Sequence, residues 1–266
     1  MKKITSCDNP LVKDVVSLVN KPSERKKRKL VFFEGLHLAE QCFNQKLSVE
    51  YLFIREDALK RKEISDLCNT FQANKVECVL VSPSVFSKIT NLTNGGDVFV
   101  IASYARPFFL EEQQLPSESV VLLDSIQDPG NLGTILRTIA ASGIKYVFIS
   151  PESVDAWSPK VIRAGMGAHF SLKIYEQVNL SVILEKFNGK KIVTSLDAKL
   201  SLYEVDLTGC CAFVFGNEGA GVSPHLKLLA NNTVIIPMPG QVESLNVSSS
   251  VAICLFEKVR QSKLLV

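Results

Sequence analysis

Several of the features that most directly announce a function are scarce or missing in this chain. It has three histidines, His37, His169 and His225, too scattered to ligate one metal ion by local spacing. Its seven cysteines (7, 42, 68, 78, 210, 211 and 254) are odd in number, and no two stand as C-x-x-C. That excludes a short-range zinc site or redox pair and leaves reduced core thiols as the expectation. No G-x-G-x-x-G or G-x-x-x-x-G-K-[ST] loop is present, which removes the main support for dinucleotide or P-loop nucleotide binding. The absence of a G-x-S-x-G elbow counts against a hydrolase. No run of about 18 apolar residues could cross a bilayer. Met1-Lys2-Lys3 leads into Ser6-Cys7-Asp8-Asn9-Pro10 where a secretory signal would turn apolar, so a cytoplasmic location is expected.

What is present has the balance of a globular protein: 266 residues, 46% of them hydrophobic and 21% charged, with a net charge of +3. That length suits one large or two modest domains with a substantial core. The charge is clustered. Over Lys21 to Lys29, KPSERKKRK, six of nine residues are basic. Such a run is either a solvated face or loop, or a patch that contacts nucleic-acid phosphates. A helical pattern at Leu36, Ala39, Glu40 and Phe43 and strand-like runs at 49–54, 76–81 and 98–102 follow, so residues 1–105 read as a small α/β unit. Residues 106–118 are polar and bracketed by prolines, as a linker is.

From 119 to 266 compact apolar runs recur at 120–123, 146–149, 191–194, 212–215 and 233–236, with helical stretches at 132–142, 180–187 and 246–261. Continuous apolarity marks strands buried on both faces, hence an α/β domain with a parallel sheet. Ligands bind such sheets at the carboxyl ends of the strands, and three of the segments there are rich in Gly, Pro, Asn and acids. The first is Asp124-Ser125-Ile126-Gln127-Asp128-Pro129-Gly130-Asn131-Leu132-Gly133-Thr134-Ile135-Leu136-Arg137. A helix starting near Asn131 would use Asn131 as its cap and project Arg137 from the second turn. The second is Phe215-Gly216-Asn217-Glu218-Gly219-Ala220-Gly221, where glycines allow close approach of backbone to a ligand and Glu218 needs a partner, Arg137 being the natural candidate. The third runs Ile236-Pro237-Met238 to Ser244-Leu245-Asn246-Val247-Ser248; taken alone it is also a plausible helix cap.

Together these segments resemble the three motifs of the SpoU (TrmH-like) branch of the SPOUT RNA methyltransferases, in family order. Upstream, Ile4-Thr5-Ser6, Asn9-Pro10, Lys13, the basic run and Phe33-Glu34-Gly35 resemble an L30e-like substrate-binding domain, more loosely. The resemblance implies a C-terminal domain with a deep trefoil knot, an architecture that ordinary connection rules would disfavour. It implies methylation of a ribose 2′-OH in structured RNA by S-adenosylmethionine, with ribosomal RNA ahead of transfer RNA and no DNA or membrane partner. The cofactor would be bound around Leu196, Gly216, Ile236 and Leu245. Arg137, Glu218, Ser244, Asn246 and Asn131 would form the catalytic set, and Arg25, Lys26, Lys27, Arg28 and Lys29 would contact RNA. A homodimer through the C-terminal region also follows from the resemblance, and the scattered histidines predict no metal site. Arg163, within Arg163-Ala164-Gly165-Met166-Gly167-Ala168, is a further candidate for RNA contact, with helix-end packing the alternative reading. The runner-up is a non-catalytic RNA-binding or assembly protein on the same fold.

Overall fold

The computed structural model describes residues 1–90, 96–104, 107 and 115–262. Most of the linker segment 106–118 lies outside them. The chain divides into two compact units, Met1–Arg106 with Trp157–Arg163, and Pro107–Ala156 with Ala164–Val266.

The first unit contains β1 (Lys2–Ile4), α1 (Pro10–Asn20), α2 (Pro22–Arg28), β2 (Leu30–Glu34), α3 (Leu36–Asn44), β3 (Ser48–Arg55), α4 (Lys62–Ala73), β4 (Glu77–Val81), α5 (Pro83–Ile89) and β5 (Val98–Ser103). Its sheet has the order β1-β4-β3-β5-β2, parallel across the first three strands and antiparallel at β3/β5 and β5/β2. Phe53 and Phe99 stack at 4.6 Å and Phe32 lies 4.8 Å from Phe99, a cross-strand aromatic cluster at the core of this mixed sheet. Helix α1 opens with Pro10 at its first position and Asn9 Oδ1 accepting from the Leu11 N–H, and it buries Val12, Val15, Leu18 and Val19 on one face.

The basic run becomes a helix rather than a loop. Pro22 starts α2, and Lys29 ends it in the left-handed region at φ 55°. Arg25 turns inward to 2% exposure, and its Nη1 donates to the carbonyls of Leu18 at 2.8 Å and Val19 at 2.7 Å. The last carbonyls of a helix have no partner within it, so this guanidinium closes the end of α1 from inside the unit. Arg25 is therefore withdrawn from the RNA-contacting set. Lys26, Lys27 and Lys29 are exposed, and Arg28 makes a 3.5 Å ion pair with Asp14.

The second unit contains β6 (Val120–Leu123), α6 (Pro129–Ala141), β7 (Tyr146–Ile149), α7 (Pro159–Gly165, whose first residues belong to the other unit), β8 (Lys173–Tyr175), α8 (Leu180–Lys186), β9 (Lys190–Thr194), β10 (Leu200–Ser201), β11 (Cys211–Phe215), α9 (Pro224–Leu228), β12 (Asn232–Ile235) and α10 (Val247–Gln261). Seven strands form one sheet in the order β10-β12-β9-β11-β6-β7-β8, every pairing parallel. The central strands β6 and β11 are buried at every position, as their unbroken apolarity predicts. No helix among the described residues is long and apolar enough to cross a membrane.

Candidate functional site

Strands β12, β9 and β11 are neighbours, and the chain leaving their carboxyl ends encloses a cavity of about 430 Å³. Its wall includes Ser195, Leu196 and Asp197 after β9, Phe215 to Val222 after β11, and Ile236, Met238, Glu243, Ser244 and Leu245 after β12. This is the position at which parallel sheets bind ligands, and the volume is that of a small-molecule pocket. All four predicted cofactor positions, Leu196, Gly216, Ile236 and Leu245, lie in this wall, as do Glu218 and Ser244. Leu196 is 57% exposed.

The wall after β11 is built around two glycines. A Cβ on Gly216 would collide with the backbone of Gly221 and Val222, because Asn217 and Gly221 exchange a pair of backbone hydrogen bonds that folds the loop back on itself. Gly221 reaches φ 71° to close it. Asn217 fills the loop: its Oδ1 accepts from the Gly219 and Ala220 N–H groups at 2.9 Å each, and its Nδ2 donates to the Ser125 carbonyl at 2.9 Å. Asp124, 7% exposed, accepts from the Ser223 N–H at 2.8 Å. The loops after β6 and β11 thus hold each other.

Glu218, Asn131 and Asn246 come together from the three motifs. Glu218 accepts from the N–H groups of Gln127 and Asp128 at 3.3 and 3.2 Å and from Asn131 Nδ2 at 3.0 Å. Asn246 Nδ2 donates to Asn131 Oδ1 at 3.0 Å. Asn246 caps α10 by accepting from the Ser248 N–H at 2.8 Å, so its other end must donate, which orients Asn131 to donate to the carboxylate. Burial by itself would raise the Glu218 pKa; the hydrogen bonds from Asn131 and the backbone outweigh it and hold the carboxyl below its ordinary value of 4.5.

Two expectations are corrected here. Asn131 does not cap α6. Pro129 takes the first helical position, so the cap falls on Asp128, whose Oδ1 accepts from the Asn131 N–H at 2.8 Å, and the Asn131 amide is free to bridge the other two motifs. Nor does Glu218 pair with Arg137. Two backbone donors and one amide hold the carboxylate, while Arg137 lies exposed on α6 with neither a hydrogen bond nor an ion pair among the described residues. Arg137, Asn131 and Asn246 are outside the cavity wall. The sequence reading also missed Asp124, Asn217, Ser195, Asp197, Lys227 and Glu243. The rule that ligands sit past strand ends pointed at most of these segments, but nothing in a single residue's type separates loop-fillers from wall groups.

Elsewhere, His169 is fully buried, its Nε2 lies 2.7 Å from the Ala156 carbonyl, and burial pushes its pKa down to about 4. No group of His, Cys, Asp and Glu among the described residues could hold a metal ion. Arg163 is exposed, and its charge lowers the pKa of Glu34, which burial otherwise raises.

The SpoU rRNA methylase family model matches residues 118–256, and the MRM3-like substrate-binding domain model matches residues 9–99. An uncharacterised tRNA/rRNA methyltransferase of Synechocystis sp. is 33% identical over 97% of this chain and 93% of its own. The 23S rRNA (guanosine(2553)-2′-O)-methyltransferase RlmP of Bacillus subtilis is 31% identical over 96% of this chain and 98% of its own. Among solved structures, an AdoMet-bound rRNA methyltransferase from Sinorhizobium meliloti superposes with a TM-score of 0.85 at 28% identity, covering 100% of this chain and 99% of that one.

Proposed function

The chain belongs to the SpoU rRNA methylase family, and from that membership we propose that it methylates a ribose 2′-OH of ribosomal RNA with S-adenosylmethionine as donor. The observation that carries this reading is the cavity past β9, β11 and β12, walled by the second and third motifs and tied to the first through Glu218, Asn131 and Asn246. The wall fits the cofactor: the absence of a side chain at Gly216 lets the loop after β11 fold against Gly221 and Val222 beside the cavity, and three carboxylates suit a ligand of net positive charge.

When bound, S-adenosylmethionine supplies a methyl group activated by its sulfonium. The chain's own task is to position the acceptor hydroxyl in line and relieve it of its proton. Backbone groups around Leu196, Gly216, Ile236 and Leu245 hold the cofactor, and Ser244 shapes the wall beside them. Arg137, a guanidinium with neither a hydrogen bond nor an ion pair among the described residues, binds the neighbouring RNA phosphate and stabilises the developing alkoxide, while a phosphate oxygen or water takes the proton. Because Arg137 stands outside the wall, the acceptor nucleotide must reach from the cavity mouth to α6. Glu218 and Asn131 brace that mouth.

In this reading residues 1–105 recognise the substrate, with Lys26, Lys27, Arg28 and Lys29 contacting phosphate, residues 106–118 link, and residues 119–266 catalyse within a knotted fold. Homodimerisation through α10, where Phe256 is 47% exposed, and a cytoplasmic location belong to the same proposal. The test is transfer of labelled methyl from S-adenosylmethionine to total RNA of cells lacking the protein, with nuclease mapping. A single labelled 2′-O-methyl nucleotide in ribosomal RNA is expected. Label confined to transfer RNA favours the alternative substrate, and cofactor binding without label on RNA or ribosomal particles favours the non-catalytic reading.

A further inference from the structure

The cavity wall carries four ionisable side chains, Asp197, Glu218, Lys227 and Glu243. Three have partners. Glu218 is held by two backbone N–H groups and Asn131. Lys227 donates to Ser195 Oγ at 3.0 Å and stands 4.0 Å from the Asp197 carboxylate. Glu243, on the loop between β12 and α10, has neither a hydrogen bond nor an ion pair among the described residues. It is the one lining charge left uncompensated.

S-adenosylmethionine carries a sulfonium, an ammonium and a carboxylate, a net charge of +1, whereas S-adenosylhomocysteine, its demethylated product, has a neutral thioether and net charge zero. The two are otherwise alike in shape, so a pocket that reads shape alone binds both and is inhibited by its own product. Charge is the property that separates them.

We propose that Glu243 is a specificity-determining residue that favours the cationic methyl donor over the neutral product, and so promotes product exchange. Its uncompensated carboxylate attracts the net positive ligand and is indifferent to the neutral one. Unit charges about 4 Å apart in a water-exposed setting correspond to a discrimination of roughly fivefold. Glu243 touches no reacting atom in this scheme. The inference rests on the proposed cofactor, and the test separates the two.

Calorimetric titration of the full-length protein and of Glu243→Gln and Glu243→Asp with S-adenosylmethionine, S-adenosylhomocysteine and sinefungin, a cationic analogue without a sulfonium, reads it directly. The wild-type protein is expected to bind the two cationic ligands about fivefold more tightly than the product. Glu243→Gln should lose that margin by weakening the cationic ligands while product affinity stays, and Glu243→Asp should keep most of it. An unchanged donor-to-product ratio in Glu243→Gln, or equal weakening of all three ligands, overturns the proposal and leaves the cofactor assignment standing. Failure of the wild-type protein to bind any of the three overturns both.

Discussion

Arg25 on α2 and Arg137 on α6 are the same residue type on helices that both start at a proline, yet the structure puts them to opposite uses. Arg25 is 2% exposed and ends on two carbonyls of α1, whereas Arg137 is exposed and ends on nothing among the described residues. A guanidinium whose hydrogen bonds are filled by its own chain serves the fold. One that the fold leaves unsatisfied is available to a substrate. The contrast is one of placement: the first unit consumes Arg25 internally, while the second holds Glu218 with amides and backbone and leaves Arg137 unsatisfied.

The largest effect should come from Arg137→Ala. Loss of a charge that stabilises the transition state costs roughly 10²- to 10³-fold in methyl transfer, with the thermal unfolding midpoint unchanged; wild-type turnover in this variant would break the comparison. Arg25→Ala should do the reverse. Two buried carbonyls lose their donor and a cavity is left, so about 2–4 kcal/mol of stability should disappear in urea titration, with turnover per folded molecule preserved.

A smaller effect concerns Glu218. Its folded-state pKa is depressed, so its stabilisation is present at neutral pH and is lost as pH falls through 4.5 and below. Glu218→Gln should therefore flatten the acid limb of the stability profile, measured by thermal unfolding from pH 7 to 3; an unaltered limb would show that the three hydrogen bonds do not hold the charge. Smallest of all, Lys26→Ala and Lys27→Ala should each weaken RNA binding modestly and reduce the salt slope by roughly 0.7 to 0.9. Arg25→Ala should leave that slope as it is, provided the unit stays folded.

Much of this was legible in the chain itself. The apolar runs at 120–123, 146–149 and 212–215 coincide with β6, β7 and β11, because a strand buried on both faces must be apolar at every position. Short or mixed elements escaped: β8 and β10 have three and two residues, too few to show a period. The site was legible as three segments, since glycines, prolines and amides past strand ends are conspicuous, and Leu196, Gly216, Ile236 and Leu245 do meet in one wall. The pairings within it were not. Asp128 displaced Asn131 as the cap because of one proline, and that displacement gave Glu218 an amide partner instead of Arg137.

The sequence by itself determined where the long buried strands run, where the chain turns at their ends, and which residue types stand there, because those follow from local periodicity and backbone preference. Only the tertiary structure decided who meets whom. Glu218 and Asn131 are 87 residues apart, and Asn131 and Asn246 are 115 apart. Contacts over such separations are set by strand order and by competition among donors for each acceptor, and neither quantity is written in any local window of the chain.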